Sequence, residues 1–164
     1  MGTKYIFVTG GVVSSVGTAV YGRVTYQMME SYWPTVLTDQ SASKHDREHA
    51  QWLENADKVV FSRTLGSVDW NNARLVNDNI AGEISKLKQQ PGKDAVIFGS
   101  PALVRALMPL GLIDDYRLTV NPVVLGEGIP FFADMKDKIG LDLLETKIFK
   151  SGVLGLHYRA QGNA

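Results

Sequence analysis

The sequence contains no cysteine, which excludes disulfides, thiolate metal sites and a cysteine nucleophile, and leaves any redox chemistry to a bound cofactor. It has no surplus of either charge, with 17 lysines and arginines against 17 aspartates and glutamates. No field over the whole molecule therefore draws it toward nucleic acid or an anionic membrane, and a charged ligand must be caught locally. It has no apolar run long enough to cross a bilayer, and residues 1–17 lack the basic start and unbroken apolar stretch of a secretion signal. The expectation is a cytoplasmic protein with neither a membrane nor a nucleic-acid partner. Repeats, low-complexity tracts and dividing linkers are also missing. The 164 residues, 45% hydrophobic, are expected to build one domain around one core.

What is present alternates. Lys4-Tyr5-Ile6-Phe7-Val8-Thr9 is a β-branched and aromatic run halted by Gly10-Gly11, the pattern of a buried strand entering a loop. Val20, Val24 and Met28, with Tyr21 and Tyr32, fit a helical period over residues 19–30, and Pro34 closes it. Ser43, with Asp46 at capping-box spacing, opens a helix carrying Ala50, Leu53 and Ala56. Lys58-Val59-Val60-Phe61 predicts a strand ending at Ser62-Arg63-Thr64, and residues 80–89 a helix stopped by Pro91-Gly92. Asp94-Ala95-Val96-Ile97-Phe98 is another strand. Gly99 turns the chain, Ser100 caps, and Pro101 starts a helix reaching about Leu110. Residues 116–120, 143–149 and 153–158 then read as strands, the last two joined through Lys150-Ser151-Gly152. This order predicts an α/β fold, with a mostly parallel sheet covered on both faces and an antiparallel C-terminal edge.

Ligands of such sheets bind beyond the carboxyl ends of the strands, where helix N-termini offer free N–H groups. Three segments fall there. At Gly99-Ser100-Pro101-Ala102-Leu103-Val104, glycine permits close backbone approach while the amides of Ala102 and Leu103 point outward, suiting a pyrophosphate; the alternative is an ordinary strand-to-helix turn. Ser62-Arg63-Thr64 joins two hydroxyls to a guanidinium, a set suited to the 2′-phosphate of an NADP-type cofactor, against a solvated loop. Gly22-Arg23-Val24-Thr25 places a cation in the first turns of a helix, where the dipole favours anions, and so hints at a ligand. His45-Asp46-Arg47-Glu48-His49 matches an inverted zinc-protease pattern but lacks an evident third ligand, so a solvated helix face and no metal are expected. His157, in the terminal strand among Leu154, Leu156 and Tyr158, reads as structural.

Together these segments resemble the reductase domain at the C-terminus of bifunctional riboflavin-biosynthesis proteins and its stand-alone dihydrofolate-reductase-like relatives. The likeness runs from about Tyr21 to Arg159 through the segments at 22–26, 58–65, 96–100 and 111–118, then Pro122-Val123-Val124-Leu125-Gly126-Glu127-Gly128, Leu144-Glu145-Thr146-Lys147 and Ser151-Gly152-Val153. It implies a three-layer α-β-α fold of the dihydrofolate-reductase type holding NADPH. Gly22, Arg23, Thr25, Ser62, Arg63, Thr64, Gly99, Ser100, Ala102, Leu103 and Val104 would lie against its phosphates and adenosine. The implied reaction is hydride transfer to a small pterin- or pyrimidine-like substrate, and homodimers are frequent in the family.

Residues 1–18 depart from that pattern. No Ser-Leu-Asp-Gly type motif opens the chain, and residues 4–17 instead resemble the opening of CTP synthase, although a phosphate loop needs lysine where this chain has Thr18. Three functions follow as expectations: an NADPH-dependent reductase, a non-catalytic nucleotide-binding domain that lost its substrate wall, and nucleoside triphosphate binding through residues 10–18.

Overall fold

The computed structural model describes residues 5–8, 16–90, 93–133 and 135–162. In chain order the elements are β1 (Tyr5–Val8), β2 (Val16–Gly22), α1 (Arg23–Val36), α2 (Lys44–Asn55), β3 (Asp57–Phe61), β4 (Ala73–Val76) and α3 (Ile80–Gln89). Then follow β5 (Asp94–Phe98), α4 (Pro101–Leu107), a 3-10 turn (Met108–Leu110), β6 (Asp115–Val120), β7 (Leu141–Ile148) and β8 (Leu154–Ala160). All eight strands join one sheet in the order β4-β3-β2-β5-β1-β6-β8-β7. Pairing is parallel from β4 to β6 and antiparallel from β6 through β8 to β7.

The period-2 alternation of side chains along the strands divides two cores. On one face Val20, Val59, Phe61 and Ile97 pack with Ile84 of α3 and Leu103, Val104 and Leu107 of α4. On the other, Ala19, Tyr21, Val60, Val96 and Phe98 pack with Tyr26 of α1 and Leu53 of α2. Each large aliphatic side chain buried this way contributes about 1.5–3 kcal/mol. The three layers expected from the sequence are thus present, with the antiparallel edge where it was placed.

Two local expectations are corrected. Residues 19–22 belong to β2, and the helix begins only at Arg23. Ala19, Val20 and Tyr21 are wholly buried between β3 and β5, so sheet burial overrides a helical period that continued by coincidence across Gly22. Pro34 lies inside α1 and not beyond it; in the last turn it removes one backbone hydrogen bond, and the helix runs on to the buried Val36. Val24, Met28 and Tyr32, whose spacing carried the helical period, are exposed. The short edge strand β4, with Arg74 in its middle, has too few apolar residues to stand out from sequence.

α2 starts as expected: Asp46 N–H donates to Ser43 Oγ at 3.1 Å, and the Ser43 hydroxyl donates to Asp46 Oδ2 at 2.7 Å. Its histidines, however, do not share a solvated face. His45 is exposed, whereas His49 is buried, edge-on to Trp33 at 4.5 Å and stacked on Trp52 at 5.6 Å. Among the described residues no group of three metal-ligating side chains is gathered, and no helix is long and apolar enough to cross a membrane.

Burial, and then neighbouring His45, lower the His49 pKa from its ordinary 6.5, with Asp46 opposing. A histidine whose folded pKa is depressed costs stability as the pH falls below the unfolded value, because the unfolded chain takes up the proton first. His157 is shifted in the same direction. Urea denaturation should therefore show stability falling from pH 7 toward pH 5, and His49→Phe should flatten part of that slope; an unchanged slope would remove His49 from the explanation.

Candidate functional site

The carboxyl ends of β3, β2 and β5 stand side by side. β2 feeds α1 on one face of the sheet and β5 feeds α4 on the other, so the chain diverges between these strands and opens a crevice at a topological switch point. The crevice is a cleft of about 710 Å³, within the range of about 300–1,000 Å³ usual for ligand sites.

Ser100 holds the two sides of this opening together. Its buried Oγ accepts the Gly22 N–H at 2.7 Å and the Thr25 hydroxyl at 3.3 Å. To reach them the chain turns through two successive left-handed residues, Gly99 with φ 55° and Ser100 with φ 48°. The second is not glycine and is strained by about 1–2 kcal/mol, which its hydrogen bonds offset. Gly22 is required by close approach, since a Cβ there would lie 2.6 Å from Ser100 Oγ.

At the end of β3 a hydroxyl shapes the loop. Ser62 Oγ accepts the N–H groups of Thr64 at 3.1 Å and Leu65 at 3.0 Å, while Asn77 Nδ2 donates to the Ser62 carbonyl at 3.1 Å. Ser62 thus folds the turn that sets the exposed Arg63 and Thr64 at the mouth of the cleft. The start of α1 is fixed from below by Tyr26, whose hydroxyl donates to Glu30 at 2.6 Å and accepts the N–H groups of Asp69 at 3.2 Å and Trp70 at 3.1 Å. Burial and Glu30 push the Tyr26 pKa up to about 12, so it stays a neutral donor.

Of the residues singled out by sequence, Gly22, Arg23, Thr25, Ser62, Arg63, Thr64, Ser100, Ala102 and Leu103 line the cleft. Gly99 shapes the turn without lining it. Val104 is fully buried in the core, and its amide donates to the Ser100 carbonyl at 3.0 Å. Sequence reading missed Arg105 and Asn77, which also line the cleft. Arg105 lies four residues after Pro101, one turn further along the same helix, and following that helix for one more turn would have found it.

Three guanidinium groups, those of Arg23, Arg63 and Arg105, therefore border one cleft, and no carboxylate side chain is among its described lining residues. Arg23 also reaches Gln27 Oε1 at 3.3 Å. Guanidinium groups and the first-turn amides of α1, which have no acceptor within the helix, are donors of the kind that suit phosphate. Most of the glycine-rich stretch that resembles CTP synthase, residues 9–15, lies outside the described residues. Thr18 stands within β2, paired with Asp57 and Ala95, and not at the head of a helix, where a phosphate loop would hold its lysine.

The RibD C-terminal domain model matches residues 7–154. The chain belongs to the RibD C-terminal domain family. Two proteins of Bacillus subtilis (strain 168) are similar to this family member. YyaP is 38% identical over 152 residues, covering 92% of this chain and 77% of YyaP. YwjB is 32% identical over 126 residues, covering 76% and 72%. Among solved structures, a putative riboflavin biosynthesis protein from Shewanella sp. PV-4 superposes with a TM-score of 0.71 at 17% identity over 98% of this chain and 99% of that one. A pyrimidine reductase-like protein from Corynebacterium diphtheriae gives 0.61 at 13%, over 97% and 92%. Dihydrofolate reductase from Enterococcus faecalis gives 0.60 at 14%, over 98% and 97%. The RibD C-terminal domain fold seen here is therefore that of dihydrofolate reductase.

Proposed function

We propose that this cleft binds NADPH and that the protein is a reductase delivering hydride to a small pterin- or pyrimidine-like substrate. The observation that carries the reading is the ring of three arginines, without a carboxylate, around a switch-point cleft at the start of α1. It is supported by the neighbour described as dihydrofolate reductase complexed with NADP(H) and by the one described as pyrimidine reductase-like.

In this reading Arg63, set outward by the Ser62 turn, takes the 2′-phosphate, and the α1 amides with Arg23 and Arg105 take the pyrophosphate. Gly22 and Ser100, joined by their hydrogen bond, keep the two sides at the spacing the cofactor needs. When bound, the nicotinamide supplies hydride; the protein contributes alignment and exclusion of water. Titration with NADPH, NADH and ATP, followed by nicotinamide fluorescence and thermal shift, tests this directly. NADPH should bind most tightly and raise the unfolding temperature. Preference for ATP, or no dinucleotide binding, would overturn the reading, and NADPH binding without turnover of any pterin or pyrimidine would identify a nucleotide-binding domain that is not an enzyme.

The same proposal includes a homodimer. β7 is the outer strand of the sheet and exposes Leu143, Leu144 and Ile148, and the segment after β6 exposes Val123, Val124 and Leu125. An apolar edge of this kind is usually covered by a partner. Sedimentation should give twice the chain mass, reduced to the chain mass by Ile148→Lys; a wild-type monomer would sink the dimer.

A further inference from the structure

A second cleft lies at the opposite end of the sheet and shares no described lining residue with the first. Strands β1, β5 and β6 run parallel, so Asp115 at the start of β6 stands at the end of the sheet away from Phe98 and the Gly99 turn. There the 3-10 turn that follows α4 forms one wall and the segment leading into β7 forms the other. Between them is a space of about 530 Å³, which is again of the size usual for ligand sites.

Local sequence makes both walls and keeps them apart. On one side Gly111, with φ 62°, turns the chain from the 3-10 turn toward β6, and its N–H donates to the Met108 carbonyl at 3.1 Å. On the other side Met135 and Ile139 pack against the core and carry the exposed Lys136, Asp137 and Lys138 between them. The far end of that segment is pinned by Gln161, whose N–H donates to the Gly140 carbonyl at 2.9 Å and whose side chain lies where a Cβ on Gly140 would stand. The floor is apolar, built from the buried Met108, Ile113, Tyr116 and Ala160.

The rim is cationic. Among the described lining residues it holds the ammonium groups of Lys136 and Lys138 against the single carboxylate of Asp137, and among the described residues neither lysine has a hydrogen-bond or ion-pair partner. Asp114 and Asp142, which flank lining residues in the sequence, are held elsewhere: Lys88 donates to the first at 2.7 Å and Gln161 Nε2 to the second at 2.6 Å. The cations beside α3 differ, since Arg74 and Lys86 both lie on Glu83, at 3.0 and 2.9 Å.

We propose that this second cleft binds an organic anion with an apolar body, a carboxylate on an aromatic ring or short chain. Its body rests on the apolar floor and its charge meets Lys136 and Lys138. Unbranched methionine side chains adapt to a ring or a chain alike, and lysine stems extend the apolar wall while their heads stay at the wet rim. The first cleft remains free, because it meets α4 at Pro101 and Ala102 whereas this one meets the turn at the other end of that helix. Both can be filled at once, and the inference does not depend on what the first cleft binds.

The test is NMR of the methionine methyl groups in the full chain, titrated with naphthoate and, as the uncharged control of the same shape, naphthamide. Of the five methionines, Met108 and Met135 line this cleft, while Met28 and Met29 lie on α1. Met108→Leu and Met135→Leu assign the first two signals. Naphthoate should shift those two saturably and leave Met28 and Met29 unmoved, and naphthamide should need a concentration about three- to tenfold higher. Lys136→Gln combined with Lys138→Gln, both at exposed positions, should raise the half-saturating naphthoate concentration by the same about three- to tenfold and leave that of naphthamide unchanged. Saturating NADPH should leave the naphthoate response in place. Signals of Met108 and Met135 that do not move, or that move no more than those of Met28 and Met29, overturn the proposal. So do naphthamide binding as tight as that of naphthoate, a response untouched by the double variant, and displacement of naphthoate by NADPH, which would put the anion in the first cleft.

Discussion

Replacing Arg63 with alanine is expected to weaken NADPH binding by about 10- to 100-fold and to leave NADH within about twofold, because a charge-assisted contact to phosphate is worth about 1.5–3 kcal/mol. The two cofactors differ only in the 2′-phosphate, so the ratio of their losses isolates that group from any general damage to the cleft. Arg63 suits the experiment because it is exposed and its backbone is fixed by the Ser62 turn rather than by its own side chain. Truncation should leave the loop intact. Fluorescence titration of both cofactors against both proteins decides it: equal losses would move the 2′-phosphate away from β3, and with it the direction in which the dinucleotide lies across the sheet.

The second large effect concerns stability. Lys58 is fully buried at the start of β3. Its ammonium donates to the carbonyls of Asn71 at 2.8 Å, Ala56 at 2.9 Å and Glu54 at 3.4 Å, and lies 4.6 Å from the Trp70 ring centre. One cation thus closes the end of α2 and ties it to the loop before β4. Burial lowers its pKa to about 8, against Glu54 and Asp57, so at neutral pH it is still mainly charged and donating. Lys58→Ala removes all three donors and opens a void, and should cost about 3–5 kcal/mol, a fall of about 10 °C in Tm. Lys58→Met keeps the stem and strands only the carbonyls, so its cost should be smaller, about 1–3 kcal/mol. Chemical denaturation of the two variants separates these contributions, and a methionine variant as stable as wild type would show that the carbonyls find other donors.

Lys58 was read from sequence only as the first residue of a strand, and the reason is general to what the sequence displayed and what it hid. Contiguous apolar runs such as those around Val59 and Val96 were legible because a strand buried on both faces needs little else. The cap at Ser43, the turn at Gly99 and the helix start at Pro101 were legible because their chemistry is local, whereas the Ser100 side chain, expected to cap α4, makes no cap bond and is taken instead by Gly22 and Thr25. The boundary at Gly22 was not: Val20, Val24 and Met28 keep a helical step across it, and only the neighbouring strands β3 and β5 decide that the first of them lies in the sheet. His49 was misjudged for a related reason, since the aromatic rings that bury it come from Trp33, on another helix, and Phe98, on a strand. At the site, three turns far apart in the chain each suggested an anion, but that they border one cleft, and that Arg105 joins them, follows only from the order of the strands.

The contact between Gly22 and Ser100 also limits how the two positions can vary. The room beside Gly22 is filled by a single oxygen atom, so residues 22 and 100 compete for one space 78 positions apart in the chain. Alanine at 22 requires that oxygen to leave, and glycine at 100 removes it while suiting the left-handed turn. Either change alone disturbs the junction: one by collision, the other by orphaning the Gly22 amide. Made together, they exchange a hydrogen bond for a methyl contact and keep the two sides of the sheet in register.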